Sequence, residues 1–226
     1  MHNSYNVAII DYEMGNIFSV KRACLEVGLQ PVVTSSPQVI LRADGIILPG
    51  VGAFGDAMEN LRVRDLITPI KEGVRQGIPF LGICLGMQLI FTESEEFGSH
   101  KGLDLLPGVV VKFPPYTAAA NHIKVPQVGW NSIELPRKRE ISFWRESPLS
   151  GIEVGDYMYF VHSYYTIPND DNVVLSNSHY EGTQFCSSIL HKNIFACQFH
   201  PEKSGRKGIE IYDNWLKSII KHKGLH

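Results

Sequence analysis

The sharpest chemical signal in this sequence is Gly82-Ile83-Cys84-Leu85-Gly86, entered from the apolar run Pro79 to Leu81. An apolar strand running into G-x-C-x-G and then a helix has the form of a nucleophile elbow with Cys in place of Ser. Such a turn leaves little room for a β-carbon at 82 or 86, and it lifts the sulfur out at the carboxyl edge of the sheet, where open α/β sheets bind ligands. The free N–H groups of the helix that follows favour a thiolate there. Acyl transfer by a cysteine needs a base, and the base needs an orienting acceptor. Gln198-Phe199-His200-Pro201-Glu202-Lys203-Ser204 supplies both. His200 ends the apolar strand expected over Ile194 to Phe199, and Glu202, beyond the stiff Pro201, can reach back to the ring N–H. Donors for a developing oxyanion are offered by the Leu85 amide and by Pro49-Gly50-Val51-Gly52, whose two glycines let backbone N–H groups reorient cheaply.

Each feature has a plainer reading. Cys84 could be a buried structural thiol in a strand-to-helix corner, His-Pro-Glu a surface turn, and the Gly50 to Gly52 segment an ordinary connection whose oxyanion role depends on Cys84 being the nucleophile. His162 closes Tyr159-Phe160-Val161-His162, where core packing and a functional role are equally open. His2, His100, His191, His222 and His226 fall in polar or terminal stretches and read as solvated. No His/Cys/Asp set has metal-ligand spacing, and neither GxGxxG nor a P-loop pattern occurs, so no metal, cofactor or nucleotide is expected.

The elements that must position these groups follow from periodicity. Asn6 to Ile10 is a β-branched strand, and Val20, Ala23, Cys24 and Val27 then recur at helical spacing until Gly28. A second cycle runs through Pro31 to Thr34, a helix opened by Ser35-Ser36-Pro37, and a strand over Gly45 to Leu48 stopped by Pro49-Gly50. A third has a helix with Ile67, Ile70 and Val74 closed by Gly77, the strand Pro79 to Ile83, and a helix over Leu85 to Phe91. Strands that are apolar throughout and alternate with helices imply a mostly parallel sheet covered on both faces. After Gly108 the texture changes to closely spaced β runs (Val109 to Phe113, Tyr157 to Val161, Val173 to Ser176, Ser187 to Leu190), and a final helix carries Ile209, Tyr212, Leu216 and Ile220. The fold class expected is α/β, flavodoxin-like, with a strand-rich second half and one domain over residues 5–222.

Composition narrows the function. Lys and Arg total 21 against 23 Asp and Glu, a net charge of -2, so no basic field exists to hold nucleic acid or anionic lipid. No apolar run approaches the roughly 20 residues of a membrane helix, and no basic start precedes an apolar stretch at the N-terminus. Four cysteines without a CxxC pair point to a reduced, cytoplasmic compartment rather than a disulfide framework.

The motifs taken in order resemble one family. Asp11-Tyr12-x-Met14-Gly15-Asn16, Pro49-Gly50-Val51-Gly52-Ala53-Phe54, Gly82 to Gln88, Lys101-Gly102-Leu103, Val128-Gly129-Trp130-Asn131, Phe160 to Tyr164 and Gln198 to Ser204 are similar to the glutaminase subunits of imidazole glycerol phosphate synthases, within the class I glutamine amidotransferases. The resemblance covers nearly the whole chain. It implies hydrolysis of glutamine to glutamate and ammonia, the ammonia passing to a (β/α)8-barrel cyclase partner in histidine biosynthesis. It also implies Cys84 as the nucleophile forming a γ-glutamyl thioester, His200 as base and later acid, and Glu202 as the residue orienting His200. Gly50, Val51, Gly52 and the Leu85 amide match the oxyanion site. Gln88, Glu96, Ser163 and Tyr164 match positions that hold glutamine, Glu96 pairing with its α-ammonium. Asn16, Trp130, Tyr159 and Lys203 match the face that docks on the cyclase. Two residues depart: the family usually has Gly where Glu13 stands and His where Gln127 stands, both expected near the partner face. Those departures leave open a paralogous subunit supplying ammonia for an amidino sugar of surface polysaccharide. A non-catalytic flavodoxin-like regulatory subunit, with Cys84 merely buried, is the alternative of another class.

Overall fold

The computed structural model describes residues 4–117, 119–120, 122–137 and 139–224, so His2 and His226 lie outside the described residues. The first half alternates as expected: β1 (Asn6–Ile10), α1 (Ile17–Glu26), β2 (Gln30–Thr34), α2 (Pro37–Leu41), β3 (Gly45–Gly50), α3 (Phe54–Val63), α4 (Ile67–Arg75), β4 (Phe80–Cys84) and α5 (Leu85–Leu89). The second half supplies β5 (Phe91–Ser94), β6 (His100–Lys101), β7 (Leu106–Lys112), β8 (Gln127–Ser132), β9 (Tyr157–His162), β10 (Tyr164–Pro168), β11 (Val174–Tyr180), β12 (Thr183–His191), β13 (Ile194–Cys197) and α6 (Gly205–Lys223).

The main sheet has the order β11-β12-β13-β4-β3-β1-β2. From β2 to β13 neighbouring strands are parallel, and β12 and β11 complete one edge antiparallel. Because side chains alternate faces along a strand, β1 divides its residues between two cores. Ala8 and Ile10 pack with Ile40, Phe54, Leu61, Ile70 and Met87 under α2 to α5. Val7 and Ile9 pack with Val20, Cys24, Ile211, Trp215 and Ile219 under α1 and α6. Both faces are therefore covered, which is why these strands are apolar without alternation. A second sheet, β10-β7-β5-β6, and the ribbon β8-β9 stand at the end of the main sheet where β4 delivers Cys84.

Some boundaries differ from the sequence reading. Pro49 and Gly50 do not stop β3 but are its last residues, in register with Ile83 and Cys84. The helix expected over Leu85 to Phe91 ends at Leu89, because Phe91 begins β5. The strand expected through Phe199 ends at Cys197. Among the described residues no helix is long and apolar enough to cross a membrane.

Candidate active site

The elbow forms as the glycines require. Cys84 has φ 55° and ψ −109°, a sparsely populated backbone state for a residue with a β-carbon, and one that the surrounding structure must hold. A β-carbon on Gly86 would stand 1.8 Å from the Leu48 carbonyl oxygen, and one on Gly82 would stand 3.0 Å from both the Ala196 β-carbon and the Gly86 oxygen. The Tyr12 hydroxyl, fully buried, donates to the Pro49 oxygen at 2.7 Å and fixes the end of β3 beside the elbow. A β-carbon on Gly50 would meet that hydroxyl at 2.5 Å. Gly52, at φ +105°, carries the loop onward in a conformation that favours glycine.

His200 is clamped from both sides. Its N–H donates to the Tyr159 carbonyl at 2.9 Å, and its own carbonyl accepts from the Ser204 hydroxyl at 2.7 Å. Thus β9, rather than an extension of β13, sets its position. Nδ1 lies 2.8 Å from Glu202 Oε1, with the two side chains only 2% and 1% exposed. A carboxylate can only accept, so Nδ1 carries a proton, and Nε2 is the nitrogen left to exchange one with the Cys84 sulfur. Burial favours the neutral ring, yet the Cys84 sulfur and then Glu202 outweigh it and push His200 from 6.5 up to about 10. The sulfur is further surrounded by Gln198 Nε2 at 3.6 Å and the Val161 carbonyl at 3.8 Å.

In front of the sulfur lies a cavity of about 320 Å³, walled by Val51, Gly52, Leu85, Gln88 and Glu96 on one side and by Val161, His162, Ser163 and Tyr164 on the other. Glu96 is nearly buried, its Oε2 accepts from the Phe54 N–H at 2.7 Å, and burial raises its carboxyl above the ordinary range. Gln88 directs its amide nitrogen to the Tyr164 carbonyl at 2.9 Å and to Gln198 Oε1 at 3.0 Å, so it shapes the wall and orients Gln198. Gln198, His162 and Tyr12 had no assigned role in the sequence. Its position two residues before His200 was the one available signal for Gln198. His162 holds Nδ1 2.9 Å from the Tyr164 carbonyl, and burial pushes it down to about 4, so it stays neutral.

Of the four residues expected to face a partner, three come together: Trp130 and Tyr159 rings meet at 6.1 Å, and Lys203 Nζ lies 5.9 Å from the Tyr159 ring. Trp130 is 55% exposed, a large apolar surface left uncovered. Asn16 caps α1, its side chain accepting from the Ser19 N–H at 3.4 Å. Glu13 sits at φ 67°, the left-handed region that suits the glycine usual there, and pairs with Arg64. Gln127 is buried and in register with His162, so this departure lies beside the cavity wall and not on the exposed face. Cys24 and Cys186 are pushed by burial up to about 12, and Cys197 well above the ordinary range. His100, His191 and His222 are half-exposed.

A buried Cys-His-Glu arrangement at the carboxyl edge of a parallel sheet defines a class of acyl-transfer proteins, and comparison with known sequences gives it a family. The sequence profile of class-I glutamine amidotransferases matches residues 8–219, and the chain belongs to that family. More narrowly, it is similar to the protein named imidazole glycerol phosphate synthase subunit HisH of Syntrophotalea carbinolica, 46% identical over 92% of this chain and 98% of that one. The HisH subunit of Moorella thermoacetica is 46% identical over 96% and 97% of the two chains. Among solved structures, PurLQS from Thermotoga maritima superposes with TM-score 0.65 at 18% identity, covering 97% of this chain and 99% of that one, a likeness of fold.

Proposed function

We propose that this chain is the glutaminase subunit of an imidazole glycerol phosphate synthase. It hydrolyses glutamine and passes the ammonia to a (β/α)8-barrel cyclase that makes imidazole glycerol phosphate and AICAR in the histidine pathway of the cytoplasm. The observation that carries the reading is the 46% identity to HisH subunits across almost the full length of both chains. The geometry around Cys84 supports it.

Glutamine enters the cavity with its α-ammonium against Glu96 and its backbone along Ser163 and Tyr164, which brings the γ-carboxamide to Cys84. The thiol proton passes to His200 Nε2, leaving a thiolate beside an imidazolium, and the sulfur adds to the carboxamide carbon. The oxyanion is met by the Leu85 N–H and by the Gly50 to Gly52 backbone. His200 returns the proton to the departing nitrogen, and ammonia and a γ-glutamyl thioester result. Water then gives a proton to the same Nε2 and attacks the thioester, glutamate leaves, and the proton returns to the sulfur. Glu202 keeps Nδ1 protonated throughout and stabilises the imidazolium.

The reading is tested by co-expressing the chain with its cyclase and measuring glutamate and imidazole glycerol phosphate together, alongside complementation of a histidine auxotroph lacking the subunit. One glutamate per imidazole product is expected. Glutaminase activity that never supports the imidazole product, with the auxotroph unrescued, would reject the histidine pathway in favour of the amidino-sugar paralogue.

A further inference from the structure

Glu202 uses only one of its oxygens on His200. Oε1 meets Nδ1 at 2.8 Å, whereas Oε2 is buried and has no hydrogen-bond partner among the described residues. A carboxylate held by one oxygen can rotate about its terminal bond, and an idle acceptor in a buried place is costly. The short 3-10 turn Pro201–Lys203 that carries Glu202 packs tightly on the first turns of α6: a β-carbon on Gly208 would stand 1.8 Å from the Pro201 carbonyl oxygen. Tyr212 lies four residues on, on the same face of that helix. Helical side chains lean toward the N-terminus of their helix, which here is toward Glu202. Tyr212 is fully buried, and its hydroxyl also has no partner among the described residues. Burial and then the Glu202 charge hold that hydroxyl well above the ordinary tyrosine range, so it stays protonated and able to donate. One idle donor and one idle acceptor thus face the same packed junction. Glu202 also borders a cleft of about 480 Å³ between α1 and α6, with its side chain only 1% exposed, so a water between the two groups would be an enclosed one.

We propose that Tyr212 is a positioning residue of the triad, its hydroxyl donating through one bridging water to Glu202 Oε2. With both oxygens held the carboxylate plane is fixed, and His200 Nε2 stays aimed at Cys84. The inference rests on the Cys84-His200-Glu202 reading and extends it by a fourth member, 128 positions from the nucleophile by the difference between residues 212 and 84.

The test compares Tyr212→Phe, Glu202→Gln and the double variant, with Cys84→Ala as the inactive reference, each in complex with the cyclase and its acceptor ligand. Tyr212→Phe keeps the shape and removes the hydroxyl, so kcat for glutamine hydrolysis should fall about tenfold, the lower end seen for outer-shell partners, while KM stays near wild type. Because the effect runs through Glu202, the double variant should be no slower than Glu202→Gln alone. Wild-type kcat in Tyr212→Phe, or losses that multiply in the double variant, would overturn the proposal. Undiminished hydrolysis by Glu202→Gln and Cys84→Ala would instead overturn the triad. Should Tyr212→Phe not fold by circular dichroism, the fluorine resonance of 3-fluorotyrosine at 212 gives the answer. It should move on Glu202→Gln, and a resonance indifferent to that change would also overturn the proposal.

Discussion

Gly50 and Cys84 are register partners at the carboxyl ends of the adjacent parallel strands β3 and β4. Neighbouring strands lie about 4.8 Å apart, so the loop leaving Gly50 starts within one strand spacing of the Cys84 backbone. Gly50 itself is locked, since a β-carbon there would stand 2.5 Å from the Tyr12 hydroxyl and 2.8 Å from the Leu85 β-carbon. Gly52, at φ +105°, is opposed only by the flexible end of Met14. A loop anchored at one glycine and free at the next can turn its donors toward the sulfur or away from it without disturbing the sheet.

That asymmetry predicts gating. The isolated chain should release glutamate slowly and accelerate when the cyclase and its acceptor ligand bind, because only a ligand that favours the donor-in loop over the donor-out loop can raise the rate. Each tenfold of activation corresponds to about 1.4 kcal/mol of coupling if chemistry limits turnover. Equal glutamate release by the chain, the binary complex and the liganded complex would exclude gating.

Cys84→Ala and Cys84→Ser should abolish glutamine hydrolysis with the circular dichroism spectrum unchanged. Supplied ammonium should still support the partner's reaction in either variant. Ordinary ammonia release by Cys84→Ala protein would remove Cys84 from the mechanism.

Glu202→Gln should slow hydrolysis less than His200→Ala, since it alters the partner of the base and leaves the base itself. It also has a signature in stability. His200 is raised from 6.5 in the unfolded chain to about 10 in the folded protein, so its contribution is complete below 6.5 and is lost as pH rises through 10. Denaturant midpoints of the wild type should therefore decline between those limits; because the Cys84 sulfur is the larger cause of the rise and Glu202 the second, Glu202→Gln should flatten the decline in part. A slope unaffected by the substitution would mean that Glu202 does not hold the imidazolium.

His162 titrates in the opposite sense. Its folded value of about 4 lies below the unfolded 6.5, so its contribution is present above 6.5 and is lost as pH falls toward 4. The full span corresponds to roughly 3 kcal/mol. His162→Asn, which can still donate to the Tyr164 carbonyl, should lose less stability between pH 7 and 4.5 than the wild type does in urea titrations. Equal losses would show that other groups dominate acid unfolding.

Gly86→Ala should destabilise the protein by about 3 kcal/mol or prevent folding, because the new methyl would penetrate the Leu48 carbonyl 1.8 Å away. Gly129→Ala has nothing within 4 Å of the added carbon, though it carries φ +134°, and should cost far less. Thermal melts of the two variants compare steric exclusion with backbone strain.

The elbow geometry and the His200–Glu202 contact were legible because both are written in local spacing: five residues from Gly82 to Gly86, and three from His200 to Glu202. The parallel half of the sheet was legible from uninterrupted apolar strands. α3 went unread although Phe54, Ala57 and Leu61 are buried at helical spacing, because Gly55 and the polar Asp56, Glu59 and Asn60 dilute the pattern. β8 was hidden by Gly129 and a run of partly exposed residues, and β10 by its closing Pro168. The setting of the sulfur could not be read at all. Gln198 lies 114 positions from Cys84 and is oriented by Gln88, 110 positions away, so both contacts exist only once β13 has been laid beside β4.

The three remaining cysteines have a use in the laboratory. Cys24, Cys186 and Cys197 are buried and their thiols are held far from ionisation at neutral pH, so none offers a nucleophile to a soluble electrophile. Cys186 borders a separate cleft beside Thr166 and Phe185, where burial keeps its thiol protonated. Cys84 alone among the four lines the cavity that Glu96 and Tyr164 share. A glutamine-shaped electrophile should therefore stop after one molar equivalent on the native chain and reach four after denaturation. That makes the protein its own stoichiometric standard: the fraction of competent sites in any preparation can be counted by intact mass, with no engineered tag and no reference enzyme.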